Sequence, residues 1–377
     1  MVFSNQEIAE WKNILSDELK NKTEREIVDY LIHIEELDLS FFFIGKEIGT
    51  LPESIGKLRN LKKLDLSVNY IETLPNSIGQ LHYLQELDLS SCHIYELPES
   101  ICQLENLQYL CLAYCENLKS LPQNIGQLKN LIFLSLIDCD SLTELPNSMW
   151  QLKKIKELCL GCDCIDTLPD DIGKLENLQE LSLYFWHNLT TLPKSIALLK
   201  QLKTLFLGSC MNIKRLPENI VELSNLEILD LCGCDNLIRL PENIGKLQQL
   251  KELDLTHCEN LHIFPESIKQ LTHCQIDWNI DENAGGVYNK LWQYMAKNQQ
   301  QEYCFSFDEI SQIMNNLVDF RLLRMLHKDL KKEVLNYGYK ITDISIKKQI
   351  MSFEKINTIN GITGYEFDLW LKQRQNK

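Results

Sequence analysis

The chain has 377 residues, 44% of them apolar, and a net charge of −15. That length holds one long array plus a small domain, and no stretch approaches the ~18 uninterrupted apolar residues of a membrane span. Residues 1–278 carry 24 basic and 41 acidic side chains, net −17, against +2 for residues 279–377, which argues against nucleic acid and anionic membrane as partners of the longer part.

The chain opens without a basic flank or an apolar run, so no secretory signal is expected and the predicted compartment is the cytoplasm. Residues 4–20 predict a helix. Ser4 and Glu7 form a capping box, and Ile8, Trp11, Leu15 and Leu19 share one face. Thr23 and Glu26 repeat the box ahead of Ile27, Tyr30 and Leu31. Residues 1–33 are therefore read as a helical cap.

From residue 34 a single period takes over. All ten prolines stand at one step of it, from Leu51-Pro52 and Leu74-Pro75 to Leu240-Pro241 and Phe264-Pro265, at intervals of 23 or 24 residues. Leu61 to Leu84 shows one unit. Leu61-Lys62-Lys63-Leu64-Asp65-Leu66 alternates as a short strand with leucines inward, and Asn69, Ile71 and Leu74 follow. Pro75 suits the first turn of a helix, and Ile78, Leu81 and Leu84 recur every third residue, as a short helical or 3₁₀ return segment requires. The strand pattern occurs ten times, from Ile34–Leu39 to Leu250–Leu255, with a degraded eleventh at Cys274–Trp278.

The phrase L-P-x-x-I-G-x-L-x-x-L-x-x-L-D-L, from Leu51 to Leu66, resembles the short intracellular class of leucine-rich repeats. Its 24-residue form, with Cys234-Asp235-Asn236-Leu237, is similar to repeats of plant resistance receptors and of bacterial proteins from host-associated species. The resemblance covers residues 34–278. It implies an α/β fold: a right-handed leucine-rich repeat solenoid, or horseshoe, with one parallel sheet, whose role is protein–protein recognition.

Six of the fourteen cysteines (Cys92, Cys115, Cys139, Cys210, Cys234 and Cys258) occupy the position of Asn69. The family implies that this side chain points inward and hydrogen-bonds backbone, so these are expected to be reduced, buried thiols. Cys159-Leu160-Gly161-Cys162 has the Cys-x-x-Cys spacing of a zinc site but no second pair at finger spacing, so no metal and no cofactor are expected.

Beyond a linker at 279–286, residues 287–377 predict a small α+β domain. Its helices are expected at Val287–Met295, from Ser306 onward, and at about Asp319–Asn336, before a hairpin of Tyr339–Ile344 and Gln349–Phe353. The order, with Tyr288, Leu291, Tyr294, Phe307, Glu309, Ile310, Gly338 and Phe353, resembles an uncharacterised small bacterial domain. It departs from that domain at Asn316-Leu317-Val318-Asp319-Phe320. No phosphate loop, nucleophile elbow or metalloprotease motif is present, so no enzyme is expected. The alternative is an effector delivered into a host cell whose C-terminal domain carries an activity such as ubiquitin transfer on Cys304. Such a nucleophile would need a positioned base, and His327 is the one histidine there.

Three outward columns can be read along the strands, the first through Glu86, Tyr109 and Phe133, the second through Asp88, Cys111 and Ser135, and the third through Ser90, Ala113 and Ile137. Both ends are acidic, while the middle is apolar and aromatic, with Tyr109, Tyr114, Phe133, Ile137, Tyr184, Phe185, Phe206 and Ile228 as candidate partner-binding residues. The expectation is a monomer that binds a protein partner with a basic surface through this face.

Overall fold

The computed structural model describes residues 3–41, 51–258, 260–261 and 263–277, with the strand residues 302–306, 339–345, 350–355 and 361–363. By contacts the chain divides into two units, residues 1–188 with 195–205 and residues 189–194 with 206–377.

The first unit begins with α1 (Asn5–Ile14), α2 (Ser16–Leu19) and α3 (Glu24–His33). Both capping boxes form, Ser4 with Glu7 and Thr23 with Glu26. The expected single helix over 4–20 is two, because Leu15 leaves helical geometry at φ −102°, ψ 49° while its side chain stays buried. Trp11 is fully buried and its indole N–H donates to Ser54 Oγ at 2.9 Å, which fastens the cap to the first return segment. Lys57 pairs with Glu7 at 2.6 Å, and that ammonium is the main reason the Glu7 carboxyl titrates below its usual range.

The strands up to residue 277 are β1 (Glu36–Asp38), β2 (Lys63–Asp65), β3 (Glu86–Asp88), β4 (Tyr109–Cys111), β5 (Phe133–Ile137), β6 (Glu157–Gly161), β7 (Glu180–Ser182), β8 (Thr204–Phe206), β9 (Ile228–Asp230), β10 (Glu252–Asp254), β11 (Ile263–Pro265) and β12 (Gln275–Asp277), and all but β11 are repeat strands. Strand order is chain order, β1 to β10 and then β12, in a parallel sheet, as a leucine-rich repeat solenoid requires. In the first unit every pair from β1 to β7 is in register, Leu on Leu. The leucines alternate inward and are fully buried, as at Leu61, Leu64 and Leu66, each gaining about 1.5–3 kcal/mol by burial.

The return segments are 3₁₀ turns, such as Asn76–Gln80. Pro75 does not enter the turn. It sits extended just before it, at φ −68°, ψ 149°, and its carbonyl accepts the first bond, from Ile78 N–H at 3.0 Å. Proline stabilises this step by fixing φ at a value the extended residue already needs.

In the second unit β9, β10 and β12 are parallel and in register, so the degraded eleventh strand forms. β11 pairs antiparallel with β16 (Gly361–Thr363). A separate antiparallel sheet has the order β13 (Glu302–Ser306), β15 (Ile350–Lys355), β14 (Tyr339–Ser345). The expected hairpin is therefore present as β14 and β15, while β13, which contains Cys304, was not foreseen. Ser306 ends that strand. The linker at 279–286 and the three C-terminal helices expected from the sequence lie outside the described residues.

Candidate functional site

Between each strand and its return segment the chain must turn, and in most repeats one residue takes the left-handed conformation there. Val68, Ser91, Tyr114, Asp138 and Phe185 do so in the first unit, at φ between 54° and 62°. Directly after Val68, Asn69 donates from Nδ2 to the carbonyls of Leu39 (2.8 Å) and Leu66 (2.7 Å). In later repeats a thiol takes this place. Cys92, Cys115 and Cys139 each donate at 3.1 Å to the Leu carbonyl of the preceding repeat.

The ladder has a rung the sequence reading missed. Cys162 donates to Leu136 O at 3.5 Å. Repeat six is one residue shorter than its neighbours at the turn: Leu160 is followed by Gly161 and then the rung, without a left-handed residue between. The Cys-x-x-Cys pair accordingly diverges. Cys159 lies on the outward face of β6 and Cys162 points into the core. Among the described residues no group of His, Cys, Asp and Glu comes together with metal-holding geometry.

The outward face of β4 to β7 holds six of the eight candidate residues. Tyr109 and Phe133 are register partners, and their rings stack at 4.4 Å and 6°. Ile137 and Tyr184 are half-buried in the third column, on either side of Gly161. A Cβ on Gly161 would lie 2.6 Å from the Tyr184 carbonyl, so the shortened turn demands glycine and leaves a gap between the two side chains. Tyr114 (54% exposed) and Phe185 (50% exposed) occupy left-handed turn positions at the rim. Phe206 and Ile228 belong to the second unit, where both are half-buried.

Between these walls the second column is a floor of small side chains. Cys111, Ser135, Cys159 and Ser182 are all buried although they point away from the leucine core. Elsewhere, apart from Phe206, this column carries aspartate. Asp38, Asp65, Asp88, Asp230 and Asp254 each accept the backbone N–H two residues on, at 2.8–2.9 Å. That bond is the main cause of the lowered Asp38 pKa. These aspartates hold their own turns, so the acidic ends are partly structural. The first column also carries Glu157 beside Phe133 and, one strand further, Glu180 beside Glu157.

Residues 50–119 and 107–189 match the family profile described as leucine-rich repeat region, and residues 249–271 match that of the leucine rich repeat. No curated protein matches the chain. Among solved structures the chain is similar to the leucine-rich repeat domain of the type III effector XopL, at 24% identity over 74% of this chain and 91% of that one, with a TM-score of 0.49. It is also similar to a leucine-rich repeat protein of Leptospira interrogans (29% identity, 61% and 75% covered, TM-score 0.29) and to an internalin of Listeria monocytogenes (15%, 71% and 94%, 0.38).

Proposed function

We propose, on the premise that the chain is a leucine-rich repeat protein, that the outward face of β4 to β7 binds a protein partner. Arrays of this kind offer extended surfaces for protein recognition rather than closed pockets. The carrying observation is the Tyr109–Phe133 stack, standing half-exposed on that face with Tyr114 and Phe185 at its rim. Each aromatic anchor, once desolvated by a partner, contributes about 2 kcal/mol or more. The excess of acid over base in residues 1–278 favours a partner with a basic surface. The thiol ladder donates hydrogen bonds that only reduced cysteine can make, which supports a reducing compartment such as cytoplasm.

The test is a pull-down with the intact chain and its Tyr109→Ala/Phe133→Ala double variant. Both substitutions remove outward side chains, so the variant folds and loses partner capture. Leu110→Ala, one residue away and fully buried, destabilises by about 2–5 kcal/mol and serves as the contrast. A folded double variant that captures the same partner undiminished overturns the reading.

A further inference from the structure

We propose that the notch formed by Phe133, Glu157, Glu180 and the hydroxyls of Ser135 and Ser182 receives an arginine side chain of the protein partner. The inference rests on the concave-face reading above and adds the chemistry of what enters it.

Glu157 and Glu180 are register partners on neighbouring parallel strands, which places their backbones ~4.8 Å apart. Like charges side by side in a sheet are destabilising. Elsewhere in the same column the array resolves this from within, since Glu86 is met by Lys63 of the preceding repeat at 2.9 Å. Among the described residues no cation pairs with Glu157 or Glu180. Glu180 is half-buried as well, and burial first, then the Glu157 charge, holds its carboxyl above the usual range.

A second observation points into the same place. Ser135 and Ser182 are 3% and 4% exposed, and neither hydroxyl has a hydrogen-bond partner among the described residues. Their flanking leucines, Leu134, Leu136, Leu181 and Leu183, all enter the core, so strand alternation aims both hydroxyls at the floor of the notch. The site thus holds two unpaired carboxylates and two unpaired hydroxyls, all able to accept.

A guanidinium supplies what these groups lack. It is planar, permanently charged and carries five N–H donors in a rigid fork, so one edge can span both carboxylates while another donor reaches one of the two hydroxyls, which stand on either side of Cys159. Its plane can lie along the Phe133 ring, which already presents a flat face in the stack with Tyr109. A lysine would answer the charge as a point and leave the planar surface unused. The gap at Gly161 leaves the notch open toward the third column.

Random dodecapeptide display on the intact chain provides the probe. The expected result is a set of enriched peptides sharing one arginine. Replacing that arginine by lysine in the synthetic peptide, or Glu157→Gln or Glu180→Gln in the protein, weakens binding about tenfold or more. Both Gln variants keep or raise the thermal midpoint, because they relieve repulsion, whereas a purely structural role would lower it. Peptides that require Tyr109 and Phe133 but show no arginine, accept lysine equally, or bind the Gln variants undiminished overturn the arginine notch and leave the concave-face reading standing. Peptides indifferent to the Tyr109→Ala/Phe133→Ala double variant, or a selection without binders, overturn both.

Discussion

The side chain at the end of the turn that leaves each strand does most to tie one repeat to the previous one. Asn69 makes this link with an amide, and Cys92, Cys115, Cys139 and Cys162 make it with a thiol. Burial pushes the Cys92, Cys115 and Cys162 thiols from an ordinary 9.0 up to about 12. Since the thiolate is the reactive form, these rungs are inert at neutral pH. Cys164 differs, being exposed while it donates to Asp140 O at 2.8 Å. Brief alkylation at pH 8 followed by peptide mapping is expected to label Cys164 well ahead of every rung. Labelling of Cys115 at the Cys164 rate would refute the ladder. That six cysteines share the Asn69 position was legible in the sequence; that Cys162 joins them was not, because a one-residue deletion at the turn disguised it as half of a Cys-x-x-Cys pair.

At the level of the element, the return segments obey a rule that runs along the whole array. Glycine near the end of one 3₁₀ turn is followed one repeat later by serine, as in Gly56 and Ser77, Gly79 and Ser100, Gly126 and Ser148, Gly173 and Ser195, and Gly245 and Ser267. A larger residue is followed by Asn or Asp, as in Cys102 and Asn124, Trp150 and Asp171, Ala197 and Asn219, and Val221 and Asn243. The physical reason for the glycine is close approach. A Cβ on Gly79 would stand 2.4 Å from the Ser100 carbonyl and 2.9 Å from its Cβ. Asn124 and Asn243 open shorter turns, Ile125–Gln127 and Ile244–Lys246, which changes the approach of their own segment. Gly79→Ala is therefore expected to cost about 1–3 kcal/mol by denaturant unfolding, as an overpacked contact does. An unchanged midpoint would show that the segments are free to separate. The sequence marks these turns by Leu-Pro and by a period of three, yet the serine–glycine contact becomes intelligible only once neighbouring turns are stacked.

Across the whole molecule, repeats that cannot bury their leucines alone make stability a shared property of the stack. The ladder thiols give it a dependence on pH. Their pKa values are raised on folding, so the stability they contribute is fully present below pH 9.0 and is lost as pH climbs toward about 12, where the unfolded chain ionises and the folded one resists. Trp186, fully buried, reports the loss by its fluorescence. Unfolding is expected within that window. Cys92→Asn, which gives this repeat the rung used at Asn69, removes one ionisable group and should move the alkaline midpoint upward. A downward move at unchanged neutral stability would exclude the thiols as its cause.

Much of this protein follows from its amino-acid order alone. Alternating leucines, prolines 23 or 24 residues apart and two capping boxes each act over a few residues, through φ restriction, strand alternation and local hydrogen bonds, so they specify strand, turn and cap without knowledge of the rest. Period also yields register, and hence the Tyr109–Phe133 contact. Side-chain partnership was decided only by the tertiary structure. The outward aspartates read as surface charge but are occupied by their own turns, whereas Glu157, Glu180, Ser135 and Ser182 read as ordinary strand residues and have no side-chain partner among the described residues. Whether a polar group is satisfied depends on which donors and acceptors the stacked neighbours bring within about 3 Å, and that distance exists only in the folded array.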